Sequence, residues 1–135
     1  MSDESPAVIQ PAAAELAREF WRLMGTNDFQ SVTAILAEDF VLEWPQTKEI
    51  IWGGERFARM NEEYPAHGRW RFTINRLVGD ETEAVSDVTV TDGVRTDRAI
   101  TFFTVVRGKV TRIVEFWPEP SSPATNRAHL TEPLT

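Results

Sequence analysis

The stretch Arg107-Gly108-Lys109-Val110-Thr111-Arg112-Ile113-Val114-Glu115-Phe116-Trp117 decides the fold. Arg107-Gly108 is a two-residue turn signal between two runs rich in β-branched and aromatic residues, 99–106 and 109–117, and so predicts a hairpin. The second run alternates: Val110, Arg112, Val114 and Phe116 would share one face, and Thr111, Ile113, Glu115 and Trp117 the other. Glu115 is out of place there, a carboxylate between Ile113 and Trp117 where the pattern asks for an apolar side chain. The expectation is that this strand floors a pocket and that Glu115 points into it.

Upstream, 1–11 is polar and contains proline, which suits a flexible arm. Ala13, Leu16, Ala17, Phe20, Leu23 and Met24 recur at helical spacing, and Gly25 ends that run. Asn27 or Asp28 then caps a second short helix with Phe29, Val32, Ile35 and Leu36 on its inner face. Residues 40–44 read as a strand closed by Pro45. Gly53-Gly54 opens a third helix carrying Phe57, Met60 and Tyr64, stopped by Pro65. Strands over 70–78, 83–91 and 95–106 precede the one quoted above, with Asp92-Gly93 as a hairpin turn. Helices first and strands later predict an α+β fold, three helices packed on one face of a mainly antiparallel sheet. The tail, 121–135, is rich in Pro, Ser and Thr and reads as irregular.

At 135 residues and 41% hydrophobic content the chain suits a single globular domain, spanning 12–120. A net charge of −7 argues against nucleic acid and against anionic membrane surfaces. The absence of cysteine excludes disulfides and thiol catalysis. No membrane span and no secretory signal stand out, so the expected location is cytoplasmic. His67 in a turn and His129 in the tail are too far apart for a metal site. There is no Ser-His-Asp arrangement and no phosphate-binding loop. Gly53-Gly54 also lacks a strand directly before it, as a dinucleotide fingerprint would require. No cofactor is expected.

The layout resembles the nuclear-transport-factor-2-like superfamily, and within it the SnoaL-like branch. The residues that carry the likeness are Asn27-Asp28-Phe29, Ala37-Glu38-Asp39-Phe40, Trp52-Gly53-Gly54-Glu55-Arg56-Phe57, Glu63-Tyr64-Pro65 with Trp70, and Gly108-Lys109-Val110 with Ile113-Val114-Glu115-Phe116-Trp117. The resemblance implies a cone: a curved sheet wrapped by helices around an apolar pocket, dimerising through the sheet's outer face. Its members include isomerases, polyketide cyclases, dehydratases, epoxide hydrolases and proteins without chemistry, so the fold alone assigns no reaction. Ketosteroid isomerases of this kind carry a base on the first strand, a Tyr on the first helix and an acid on the penultimate strand. The matching positions here are Trp44, Phe20 and Phe102, which disfavours that reaction. The acid of the polyketide cyclases is absent as well, because the last strand ends Phe116-Trp117-Pro118. Glu115 does match the pocket glutamate of the phenazine-biosynthesis A/B proteins and one Asp of the limonene-type epoxide hydrolases.

Counting back from two-residue turns at Asp92-Gly93 and Arg107-Gly108 puts Asp87 opposite Arg98 and Ile100 opposite Glu115, all on one side of the sheet. Arg98 would then lie between two carboxylates. Such a set could keep one carboxylate as a general base and the other, more desolvated, as a general acid. The bland alternative is a cross-strand ion pair on a solvated or dimer-facing side. Trp44, Met60, Tyr64, Phe102, Ile113, Trp117 and Phe20 are the expected substrate-binding residues, with Trp21, Trp52 and Trp70 as further wall or core. Asn61 is a weaker candidate, and Glu43 is expected to face outward. The expected function is a cofactor-free enzyme acting on a small apolar organic ligand by carboxylate acid/base chemistry, with Glu115, Asp87 and Arg98 as its catalytic groups. The alternative is a non-catalytic binding or dimerisation domain whose acids are structural.

Overall fold

The computed structural model describes residues 10–134 of the chain; residues 1–9, which make up most of the expected N-terminal arm, lie outside the described residues. Helix α1, Ala13–Gly25, forms where the apolar residues repeat every three to four positions, and it buries Leu16, Ala17, Phe20, Trp21 and Met24 on one side. Past it the chain turns at Asn27, in the left-handed region at φ 62°. The Asn27 side chain fastens that turn to Trp70: Nδ2 donates to the Trp70 carbonyl and Oδ1 accepts from the Trp70 N–H, each at 2.8 Å.

The expected second helix is a 3-10 helix, Phe29–Ile35, whose N-terminus has no side-chain cap. Strand β1, Leu36–Trp44, starts earlier than its alternation suggested, and α2, Gly54–Glu63, occupies the expected third helix. Between them lies a strand that the sequence reading missed, β2, Glu49–Trp52. It directly precedes Gly53, contrary to expectation. Four residues with Ile50, Ile51 and Trp52 in a row are too short a run to show a period of two. Strands β3, Arg71–Gly79, β4, Glu83–Thr91, β5, Thr96–Val106, and β6, Lys109–Phe116, complete the regular structure of the described residues apart from a 3-10 turn at Thr125–Arg127.

The six strands form one curved sheet in the order β2-β1-β6-β5-β4-β3. All neighbours are antiparallel except β1 and β6, which run parallel. This is the nuclear-transport-factor-2-like α+β fold expected from the sequence. The helices cover one face, where Phe40, Leu42, Val88, Ala99, Phe103, Val110 and Ile113 are buried against α1 and α2. No helix of the described residues is long and apolar enough to cross a membrane.

Two details of register depart from the simple hairpin count. Thr91 pairs with Thr96 rather than Val94, so the β4–β5 connection has four residues, 92–95. The Asp92 carboxylate imposes this loop, because its Oδ1 accepts the backbone N–H groups of Val94 and Arg95 at 3.0 and 2.7 Å. The ladder therefore slides by two residues: Asp87 lies opposite Ile100, and Arg98 opposite Thr89. In the β5–β6 hairpin Val106 does face Lys109, but the register shifts between Thr104 and Val105, leaving Thr111 as a bulge residue. A shift of one residue exchanges the faces. Glu115 consequently lies opposite Thr101 instead of Ile100, and on the other side of the sheet from Asp87 and Arg98.

Candidate active site

The helix-covered face of the sheet opens at one end into a cavity of about 530 Å³. Its apolar wall draws Phe20, Met24 and Phe29 from the N-terminal helices, Phe57 and Met60 from α2, and Phe72 from β3. Trp44, Trp70, Tyr64 and Trp117 stand around it with polar ring atoms as well as apolar surface. Residues 118–120, just past β6, and Gln46 in the β1–β2 loop lie at its edge, and the Gln46 side-chain carbonyl accepts the Trp117 backbone N–H.

Glu115 is placed by three strands at once. It sits on β6 between β1 and β5, with its side chain on the concave face. Thr101 stands directly across on β5, Trp44 follows Glu43 on the parallel neighbour β1, and Trp117 is two residues along on the same face. All three donate to its carboxyl. The indole N–H groups of Trp44 and Trp117 both reach Oε1 at 3.1 Å, and the Thr101 hydroxyl reaches Oε2 at 2.7 Å. Glu115 is only 6% exposed. Burial pushes its carboxyl above the ordinary glutamate range, and the three hydrogen bonds only partly oppose that shift.

Asp87 and Arg98 do meet, but elsewhere. The Arg98 guanidinium donates from Nε to Asp87 Oδ1 at 2.7 Å, with a second contact to Oδ2, on the outer face of the sheet. That pair holds the Asp87 carboxyl below its ordinary range, chiefly through the Arg98 hydrogen bonds. Arg98 is 59% exposed, and neither residue borders the cavity. Of the expected substrate-binding residues, Phe20, Trp44, Met60, Tyr64 and Trp117 line the cavity. Ile113 is fully buried in the core and does not line the cavity, and Phe102 faces outward, its ring edge-on to Phe116. The bulge and the alternation of β5 turn Thr101 and Phe103 inward in its place. Glu43 faces outward as expected, paired with Arg112.

Sequence reasoning missed Thr101, Arg95 and Asp97. Arg95 and Asp97 border the cavity and form an ion pair at 2.6 Å. Their alternation with the buried Ala99 and Thr101 on β5 was the available signal for Asp97. Trp44 was expected only as a wall, whereas its N–H is a polar contact of the site. Asn61 also lines the cavity, with one amide hydrogen donated to the Phe57 carbonyl at 2.9 Å.

The chemistry this arrangement offers is that of one buried carboxyl, held by neutral donors, beside a largely aromatic cavity. It can give or take a proton, and among the described residues no second acid or base is in hydrogen-bonding contact with it.

No curated protein matches the chain. A structure from Kribbella flavida DSM 17836, provisionally named a ketosteroid isomerase, is 36% identical over 91% of this chain and 90% of its own, with a TM-score of 0.83. An LEH-like epoxide hydrolase of M. tuberculosis (22% identity, 78% and 82% covered, TM-score 0.64) shares the fold. So does a provisionally named polyketide cyclase of Pseudomonas putida KT2440 (22% identity, 79% and 92% covered, TM-score 0.60). The SnoaL-like domain matches residues 17–113, and the chain belongs to that family.

Proposed function

We propose that the protein is a cofactor-free enzyme that moves a proton on a small, largely apolar molecule, with Glu115 as its acid/base. The observation that carries the reading is a buried carboxyl on the cavity floor whose ionisation is opposed by burial. Asp87 and Arg98 lie on the far side of the sheet, and no hydrogen bond joins Glu49, Asp97 or Glu119 at the cavity border to Glu115. A single carboxyl serving in both directions suits an isomerisation better than the paired-group opening of an epoxide. The Glu115 carboxylate takes a proton from the carbon beside a carbonyl, and the electrons of that C–H bond pass into the enolate. The protonated Glu115 then returns the proton to a different carbon, and the carbonyl re-forms. The 36% identical structure from Kribbella flavida carries the provisional name of an isomerase. The first-strand position of that activity's base is Trp44 here, so in this reading the base is Glu115 on β6 instead.

The test is proton exchange and double-bond migration on enolisable, β,γ-unsaturated ketones in deuterated water. Glu115→Gln should lower the rate by about a hundredfold or more. An unchanged rate rules the reading out. A second reading, a non-catalytic binding or dimerisation domain, is favoured by the three neutral donors that hold Glu115 in place, and an ordinary Glu115 pKa would support it. With either reading we propose a homodimer through the outer sheet face, where Phe102, Val106 and Val78 are exposed. Sedimentation of Phe102→Glu as a monomer, beside a dimeric parent, tests that.

A further inference from the structure

We propose that the cavity takes a small apolar amine, held as its ammonium ion against Glu115. The proposal rests on the reading of the cavity as the ligand site and not on proton transfer by Glu115. A carboxylate removed from water needs a counter-charge, and buried charges in proteins are paired. Glu115 has no such partner: its contacts are two indoles and a hydroxyl, and among the described residues no Lys, Arg or His reaches it.

The rest of the lining has the same bias. Glu49, Asp97 and Glu119 border the cavity with Glu115, against Arg95 alone, and Arg95 is already paired with Asp97. No lysine or histidine is among the lining residues. A concave site of this sign, with low-dielectric walls, attracts cations and repels carboxylates and phosphates. Its aromatic walls are also compatible with an alkylammonium group and its apolar body.

Hydrogen-bond arithmetic leaves a place for the nitrogen. A carboxylate has about four acceptor positions. Two on Oε1 are taken by Trp44 and Trp117, and one on Oε2 by Thr101. The fourth, on Oε2, is free for an N–H of the ligand. The counter-charge of the ammonium stabilises the ionised carboxyl, so where Glu115 is protonated in the empty cavity its proton passes to solvent on binding. The complex then holds one ammonium and one carboxylate.

The experiment is calorimetric titration of the intact protein with phenethylamine, phenethyl alcohol and phenylacetate at neutral pH and low salt. The amine should bind at least about tenfold more tightly than the alcohol, and phenylacetate more weakly than both. Glu115→Gln should cost the amine about tenfold while leaving the alcohol within about twofold. Equal affinity for amine and alcohol, or an amine preference that survives Glu115→Gln, overturns the proposal. A second measurement needs no variant: the side-chain carboxyl carbon resonance of Glu115 must respond to the amine, and a silent resonance overturns the proposal too. Ketone turnover lost in Glu115→Gln, together with equal amine and alcohol affinities, would sink this inference alone. Amine selectivity without any proton-transfer activity would sink the proposed reaction alone.

Discussion

Thr101 stands directly across the β5–β6 ladder from Glu115 and donates its hydroxyl to Oε2 at 2.7 Å, while Oε1 is taken by two indoles. The two oxygens are therefore not equivalent. An indole N–H can only donate, so Oε1 has to remain an acceptor in either protonation state. A hydroxyl can donate or accept. The proton of the neutral acid accordingly belongs on Oε2, where Thr101 can reverse its hydrogen bond.

That asymmetry predicts unequal effects on the Glu115 pKa. Trp44→Phe and Trp117→Phe each remove a donor that favours the ionised form, so each should raise the pKa above that of the parent. Thr101→Val removes a partner useful to both forms and should raise it less, and Thr101→Ser should restore the parent value. Side-chain carboxyl NMR from acid to alkaline pH reads all four. A Thr101→Val shift as large as either Trp shift would contradict the proton's assignment to Oε2.

Glu115→Gln should fold, because the amide copies the neutral acid: its oxygen accepts both indoles and its NH₂ donates to Thr101. Stability should then part from that of the parent in one direction. The Glu115 pKa is raised in the folded state. The parent's stability from the neutral acid is thus fully present below the unfolded value of about 4.5, and is lost as pH rises through the higher folded value. The melting temperatures of parent and variant should run parallel below that window. Above it the variant should lead. Parallel curves across the whole range would mean that Glu115 is not desolvated.

How far this site was legible depends on which pattern carried each part. Ile113, Glu115 and Trp117 follow one another at a period of two, so a carboxyl among apolar neighbours stood out from the residues alone. Its companions did not. The hairpin count failed at Thr111, where one bulge residue exchanges faces, and at 92–95, where the Asp92 carboxylate widens the loop by two residues. Alternation records neither device, since a bulge interrupts the period and a loop capped by one Asp resembles an ordinary Asp-Gly turn. Thr101 and Phe102 show the consequence: the count turned Phe102 toward the ligand, and the structure turns Thr101 there. The order of helices and strands, carried by long periodic segments, was legible throughout except for the four-residue β2.

Asp87 and Arg98 provide a control for the site. Their ion pair lies on the outer face, away from the cavity lining. Asp87→Asn and Arg98→Gln should leave ligand affinity within about twofold of the parent in calorimetric titration. A tenfold loss in either would place the pair in communication with the cavity through the sheet, and would reopen the two-carboxylate chemistry set aside here.

Asn27 links backbone geometry to the cavity wall. It occupies the left-handed region at φ 62°, and both ends of its amide bind the Trp70 backbone at 2.8 Å. Trp70 in turn lines the cavity. Asn27→Ala loses the two 2.8 Å hydrogen bonds to Trp70, worth about 1 kcal/mol each, and a longer, weaker one from Nδ2 to the Gly25 carbonyl at 3.3 Å. It also places a Cβ without local hydrogen bonding in a left-handed conformation, which costs about 1–2 kcal/mol. Urea unfolding should therefore show a loss of about 3–4 kcal/mol. Asn27→Gly loses the same hydrogen bonds but tolerates the dihedral, and should recover about 1 kcal/mol of that loss. Both variants should weaken ligand binding, because the wall residue Trp70 is no longer fixed to the end of α1. Equal stability of the Ala and Gly variants would show that the dihedral carries no strain. Unchanged ligand affinity in both would show that Trp70 is held by its packing instead.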